Sequence, residues 1–176
     1  RLLRHSAATA ANGQGAAAEV TLSDAAAGFA VTMSVELDPS GVLRLTPSIE
    51  NTGPETLQVE SLLALLPLPA RAVECLDFSG KWIRERSPQR HDIVHGTHSR
   101  RGRRGKPGLD SPFLLMADTR GFSSRQGEVW AVHVAWSGDG EWLVEQLPES
   151  PGALRSVIGG GELLRQGEIE LQTGER

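Results

Sequence analysis

At 176 residues, with 39% hydrophobic and 23% charged side chains, the chain has the size and balance of one globular domain able to bury a sizeable core. No apolar run approaches the roughly 20 residues that span a bilayer, and the longest, Leu62 to Leu68, is broken by Pro67. The formal net charge of −4 is unevenly spread: residues 81–106 hold nine Lys or Arg against Glu85 and Asp92, a net of +7 that leaves −11 on the rest.

Residues 1–18, rich in Ala and small polar side chains, show no apolar period and read as a loop or poorly ordered N-terminal segment. Residues 19–176 read as one domain. From Glu19 the period is two: Phe29, Val31, Met33, Val35 and Leu37 alternate with Ala30, Thr32, Ser34 and Glu36, the pattern of a half-buried strand. Asp38-Pro39-Ser40-Gly41 supplies a tight turn, and Val42 to Thr52 returns to complete a hairpin. Thr56 to Leu66 follows, and further strands are expected at His91 to His98, Phe113 to Asp118, Glu128 to Ser137, Trp142 to Leu147, Leu154 to Ile158 and Glu168 to Gln172. Gly or Pro punctuates nearly every junction, and no stretch carries a capped helical period. Many short strands at this spacing predict an antiparallel all-β fold, sandwich or barrel.

The lone Cys75 excludes an internal disulfide and reads as a small buried apolar side chain. It is compatible with a reducing cytoplasm, the compartment expected here.

The segment from Glu74 to Lys106 has a particular order of turn, aromatic, acid and base. An apolar strand ending in Pro67-Leu68-Pro69 leads to Ser79-Gly80-Lys81-Trp82, then Glu85-Arg86-Ser87-Pro88-Gln89-Arg90, then Ser99 to Arg103. Downstream come Ser111-Pro112-Phe113, Gly127-Glu128-Val129-Trp130, Trp136-Ser137-Gly138-Asp139, and Gly160-Gly161-Glu162-Leu163-Leu164 with Gly167-Glu168. In this order the pieces resemble the N-terminal domain of the glycoside hydrolase family 36 α-galactosidases, with Gln166 standing where the family is expected to have Pro. The resemblance implies a large two-sheet antiparallel β-supersandwich similar to galactose mutarotase. It also implies that the catalytic aspartates belong to a (β/α)₈ barrel following this domain, and such a barrel needs roughly 250 residues. The chain is accordingly expected to be a fragment, inactive alone. Its implied partners are its own barrel, further copies of the parent in a homo-oligomer, and an α-galactoside as the parent's substrate, with no cofactor.

Five residues are candidates for the substrate rim or for docking between domains: Trp82, Glu85, Arg86, Arg90 and Trp142. Trp82 follows a Gly turn, and its ring can pack on an arginine stem. Glu85 with Arg86 or Arg90 would make an ion pair that fixes a long hairpin, with Ser99 to Arg103 at its tip. Trp142, after Gly138-Asp139-Gly140, is expected to be more exposed than Trp130 or Trp136, whose strand carries apolar residues on both faces and reads as central. His91, His95 and His98 do not read as a metal site, because an extended chain points His98 away from the other two and the nearby arginines repel a cation. The basic run Arg100 to Lys106 lacks interleaved aromatics and a presenting helix, so it reads as a docking patch for an acidic protein surface rather than for nucleic acid. No catalytic residue is assigned: Asp139 with Glu141, or Asp77 with Glu85, are arbitrary pairs of carboxylates. Two readings of other classes stand beside this one, a free-standing carbohydrate-binding β-sandwich and a ligand-free interaction module.

Overall fold

The computed structural model describes residues 2–9, 15–104, 114–148 and 156–176. Lys106, Ser111-Pro112-Phe113 and the expected strand start at Leu154 lie outside them. The described residues form strands and turns, with no helix among them. They divide into two compact units, residues 1–64 with 164–176, and residues 65–163, where the sequence reads as one domain.

The first unit is built on a meander, β1 (Leu2–Thr9), β2 (Ala16–Asp24), β3 (Phe29–Leu37) and β4 (Leu43–Asn51), paired in chain order. The loop expected over residues 1–18 is thereby corrected: Ala7 pairs with Ala18 and Thr9 with Ala16, because pairing to β2 supplies backbone hydrogen bonds that need no apolar period. The period-two segment is β3, in register with β4 through Val31↔Ile49 and Val35↔Leu45. The turn between them forms because Asp38 Oδ1 accepts from the Ser40 and Val42 amides at 2.8 and 3.1 Å. The long strand expected from Thr56 to Leu66 splits into β5 (Leu57–Gln58) and β6 (Ala64–Leu68), and β5 pairs with β14 (Glu170–Leu171). Asn51, nearly fully buried, ties this ribbon to the meander: its side-chain amide donates to Glu55 O at 2.7 Å and Leu171 O at 2.8 Å.

The second unit contains β7 (Glu74–Lys81), β8 (Arg84–Asp92), β9 (Gly96–Gly102), β10 (Leu114–Asp118), β11 (Val129–His133), β12 (Gly140–Gln146) and β13 (Ser156–Glu162). One sheet runs β11-β10-β7-β8 and the other β6-β13-β12-β9. The pairings along β11-β10-β7-β8, along β13-β12-β9, within the β1–β4 meander and between β14 and β5 are antiparallel. Leu68, Trp142, Val144 and Ile158 from the second sheet meet Cys75, Leu115 and Ala117 from the first in a single apolar core. Burying each large apolar side chain contributes about 1.5–3 kcal/mol, so this core is the main cohesive element of the unit. The strand expected to be central, β11, is an edge strand. Trp130 and Val132 pack against the core while Val129, Ala131 and His133 face outward, the alternation of a half-exposed strand.

Candidate functional site

The β7–β8 hairpin carries four of the five candidate residues. Lys81 pairs with Arg84, so Trp82 and Ile83 alone make the turn. Both point into solvent, Trp82 77% and Ile83 83% exposed. Ile83 sits at φ 68° and Arg86 at φ 54°, the two non-glycine residues with positive φ among those described. A β-branched side chain in that region is strained, since turns of this kind favour Asn or Gly. Glu85 Oε1 accepts the Ile83 amide at 2.9 Å and so holds the turn closed.

The irregularity below the turn is a bulge in which Gly80 stands opposite Glu85 and Arg86. A Cβ on Gly80 would lie 2.6 Å from Arg84 O and 2.9 Å from the Arg86 nitrogen, so glycine is required there. Arg90 does not make the expected pair with Glu85. Its guanidinium reaches Glu74 at 3.4 Å and Phe122 O at 2.8 Å, and lies 4.2 Å over the Phe122 ring.

Trp142 is not exposed. It is 2% accessible and part of the core, because β12 is an inner strand between β13 and β9. Its cross-strand partner is Gly160, where a Cβ would come within 2.1 Å of Glu141 O. Gly140, one of the glycines that suggested an exposed turn, instead makes room for the buried indole, since a Cβ there would lie 3.1 Å from its Cη2. Trp136, by contrast, is exposed.

Ser99 to Gly102 is not a hairpin tip but the end of β9, paired with β12 through Leu143↔Ser99 and Glu141↔Arg101. Two arginines of the basic run are consequently spoken for. Arg101 Nε binds Glu141 at 2.7 Å, and Arg100 binds Asp77 through Nε at 2.6 Å and Nη2 at 3.0 Å.

Asp77, which the sequence offers only as one half of an arbitrary carboxylate pair, is the charged centre of this region. Its carboxylate, 3% exposed, also meets His98 Nε2 at 2.8 Å. Burial would raise its pKa, but the hydrogen bonds from Arg100 and His98 outweigh this and hold it below the ordinary value. The His91 and His98 rings lie 4.5 Å apart between centroids, tilted by 35°. His98 therefore faces His91, because the chain turns between β8 and β9 instead of remaining extended, while His95 lies in the connection between those strands. One ligand atom each from Asp77, His91 and His98 lies within 4.8 Å of the others.

A second buried acid, Asp118 on β10, is fully inaccessible, and neither carboxylate oxygen has a hydrogen-bond partner. It is the cross-strand partner of Glu74. Burial first, and the Glu74 charge second, push its pKa up to about 6. Cys75 is buried as expected, and burial together with the charges of Asp77 and Asp118 pushes its thiol up to about 12.

An antiparallel all-β chain with a strained, exposed Trp-Ile turn between two of its strands defines a β module of the sandwich kind. The sequence pattern of the glycosyl hydrolase family 36 N-terminal domain matches residues 4–172, and the chain belongs to that family. An α-galactosidase of Escherichia coli is 35% identical over 120 residues, 68% of this chain and 17% of the relative. The crystal structure of the family 36 α-galactosidase AgaA from Geobacillus stearothermophilus superposes with a TM-score of 0.81 at 22% identity, covering 99% of this chain and 26% of the other. That of an α-galactosidase from Lactobacillus brevis gives 0.76 at 21% identity, covering 96% and 23%. The chain thus spans about a quarter or less of the length of these relatives.

Proposed function

We propose that this chain serves as the non-catalytic N-terminal β domain of an α-galactosidase that hydrolyses terminal α-linked galactose in melibiose- or raffinose-type oligosaccharides. In this reading the domain braces a (β/α)₈ barrel, helps shape the rim of its sugar pocket and takes part in oligomer contacts, in a cytoplasmic enzyme that needs no cofactor. The observation that carries the reading is the 35% identity to the Escherichia coli α-galactosidase over two thirds of the chain. The sugars found with solved relatives support it, one variant of AgaA having been crystallised with raffinose and another with stachyose. The exposed Trp82-Ile83 turn, with Lys81, Arg84 and Arg86 beside it, suits docking onto an apolar, acid-rimmed surface.

The test is release of galactose from an α-galactoside by the product of the extended reading frame and by this chain alone. The reading expects activity in the long form only, lowered by Trp82→Ala. A frame that continues without a (β/α)₈ pattern would sink it. The exposure of Trp82 also favours a second reading, sugar binding by the domain alone through ring stacking. Saturable quenching of tryptophan fluorescence by galactosides, absent in Trp82→Ala, would support that alternative.

A further inference from the structure

We propose that Asp77, His91 and His98 bind a divalent transition-metal ion of the zinc type, which clips β8 to β9 at the corner where the chain passes from one sheet of the second unit to the other. The three donors come from three strands, β7, β8 and β9, and their ligand atoms lie within 4.8 Å of one another. Zinc–nitrogen distances of about 2.0–2.1 Å place tetrahedral ligands roughly 3.3 Å apart. Asp77 Oδ2 and His98 Nε2 already sit 2.8 Å apart, close to that spacing. His91 is exposed, so its ring can rotate to close the remaining distance, and solvent can take the fourth position.

Arg100 is the obstacle that the arrangement must accommodate. Its guanidinium opposes an incoming cation, yet it engages Asp77 through both carboxylate oxygens and so fixes the orientation of that ligand. Asp77 and Arg100 cancel in charge, leaving two imidazoles as the dominant donors. That donor set selects zinc, nickel or copper over calcium or magnesium, which require oxygen ligands. Partial neutralisation of the carboxylate also makes the affinity weaker than that of closed structural zinc sites.

The site is tested by titrating the full chain with cobalt(II), followed by its visible absorption, and with zinc by calorimetry. The expected result is one saturable equivalent, weakened at least tenfold by His91→Gln and by His98→Gln but unchanged by His95→Gln, with circular dichroism reporting the fold of each variant. Zinc should also raise the thermal midpoint of the wild type and not that of His91→Gln. Should His98→Gln fail to fold, the exposed His91 variant decides alone. Absence of saturable binding up to millimolar metal, or binding undiminished by His91→Gln, overturns the proposal.

Discussion

Asp77 on β7 and Arg100 on β9 join the two sheets of the second unit by a two-pronged ion pair, Nε to Oδ2 at 2.6 Å and Nη2 to Oδ1 at 3.0 Å. The carboxylate is almost wholly shielded from water while the guanidinium is one third exposed. The two partners are therefore unequal. Removing the arginine leaves the interior carboxylate with His98 as its one remaining side-chain partner among the described residues, whereas removing the aspartate leaves a cation that can turn toward solvent.

Arg100→Met is accordingly expected to destabilise the chain by about 3 kcal/mol, and Asp77→Asn by less. Urea unfolding of both variants checks the ordering. Equal costs would show that the pair is not buried as described.

Asp118 makes stability depend on pH in the direction opposite to an ion-paired acid. Its folded pKa, about 6, lies above the ordinary 3.8, so the folded state holds the proton more tightly than the unfolded one. Its contribution is most favourable below 3.8, declines as the pH rises to about 6, and is constant beyond. The facing groups are Glu74 from β7, which opposes ionisation, and Arg90 from β8, which favours it. Asp118→Asn should remove this decline and stabilise the chain at pH 7 by on the order of 1–2 kcal/mol. Melting curves from pH 4 to 7 decide it: parallel profiles for variant and wild type would contradict the assignment.

The strain at Ile83 predicts a gain from a smaller residue. Ile83→Gly should raise stability by about 1 kcal/mol, the usual cost of placing an L side chain in the left-handed region, offset in part by the entropy of glycine. Chemical denaturation measures it, and a loss would mean that the exposed isoleucine makes stabilising contacts. Gly80→Ala, in the same hairpin, should instead cost about 1–3 kcal/mol through collision with the backbone of Arg84 and Arg86.

The tryptophans separate by role. Trp142→Ala should cost about 3–5 kcal/mol, as for other large aromatic truncations in a core, whereas Trp82→Ala should change stability by less than about 0.5 kcal/mol. Acrylamide should quench Trp82 and Trp136 and leave Trp142 emitting. Native Cys75, buried and with its thiol pushed up to about 12, should react with a thiol reagent only on unfolding.

What could be read from the sequence followed local periodicity. β3 and β4 were legible because their apolar residues alternate and an Asp-Pro-Ser-Gly turn joins them. β7 and β8 were not, since their turn is Trp-Ile rather than Asn-Gly and β8 is nearly all polar. Trp142 was misplaced because nearby glycines signal a turn and a crowded core alike, and only the register opposite Gly160 distinguishes them. The Asp77–Arg100 contact spans 23 residues and depends on two sheets meeting, so no local pattern announces it. The same holds for His91 and His98, whose approach follows from the turn between β8 and β9. The family motifs were readable as an ordered series, which periodicity alone would not have supplied.

The chain path through the two units carries a consequence for biosynthesis. Residues 65–163 are continuous, whereas the first unit needs residues 164–176 to return to it, with Glu175 O accepting the Asn51 amide and Leu171 O the Asn51 side chain. On a translating ribosome, the interior cassette emerges with all its strands before the closing segment of the first unit has been made. The later-numbered unit is thus free to fold first, while Asn51 on β4 keeps its local bonds to Glu55 O and the Gly53 amide and waits for those to Leu171 and Glu175 until residues 164–176 arrive.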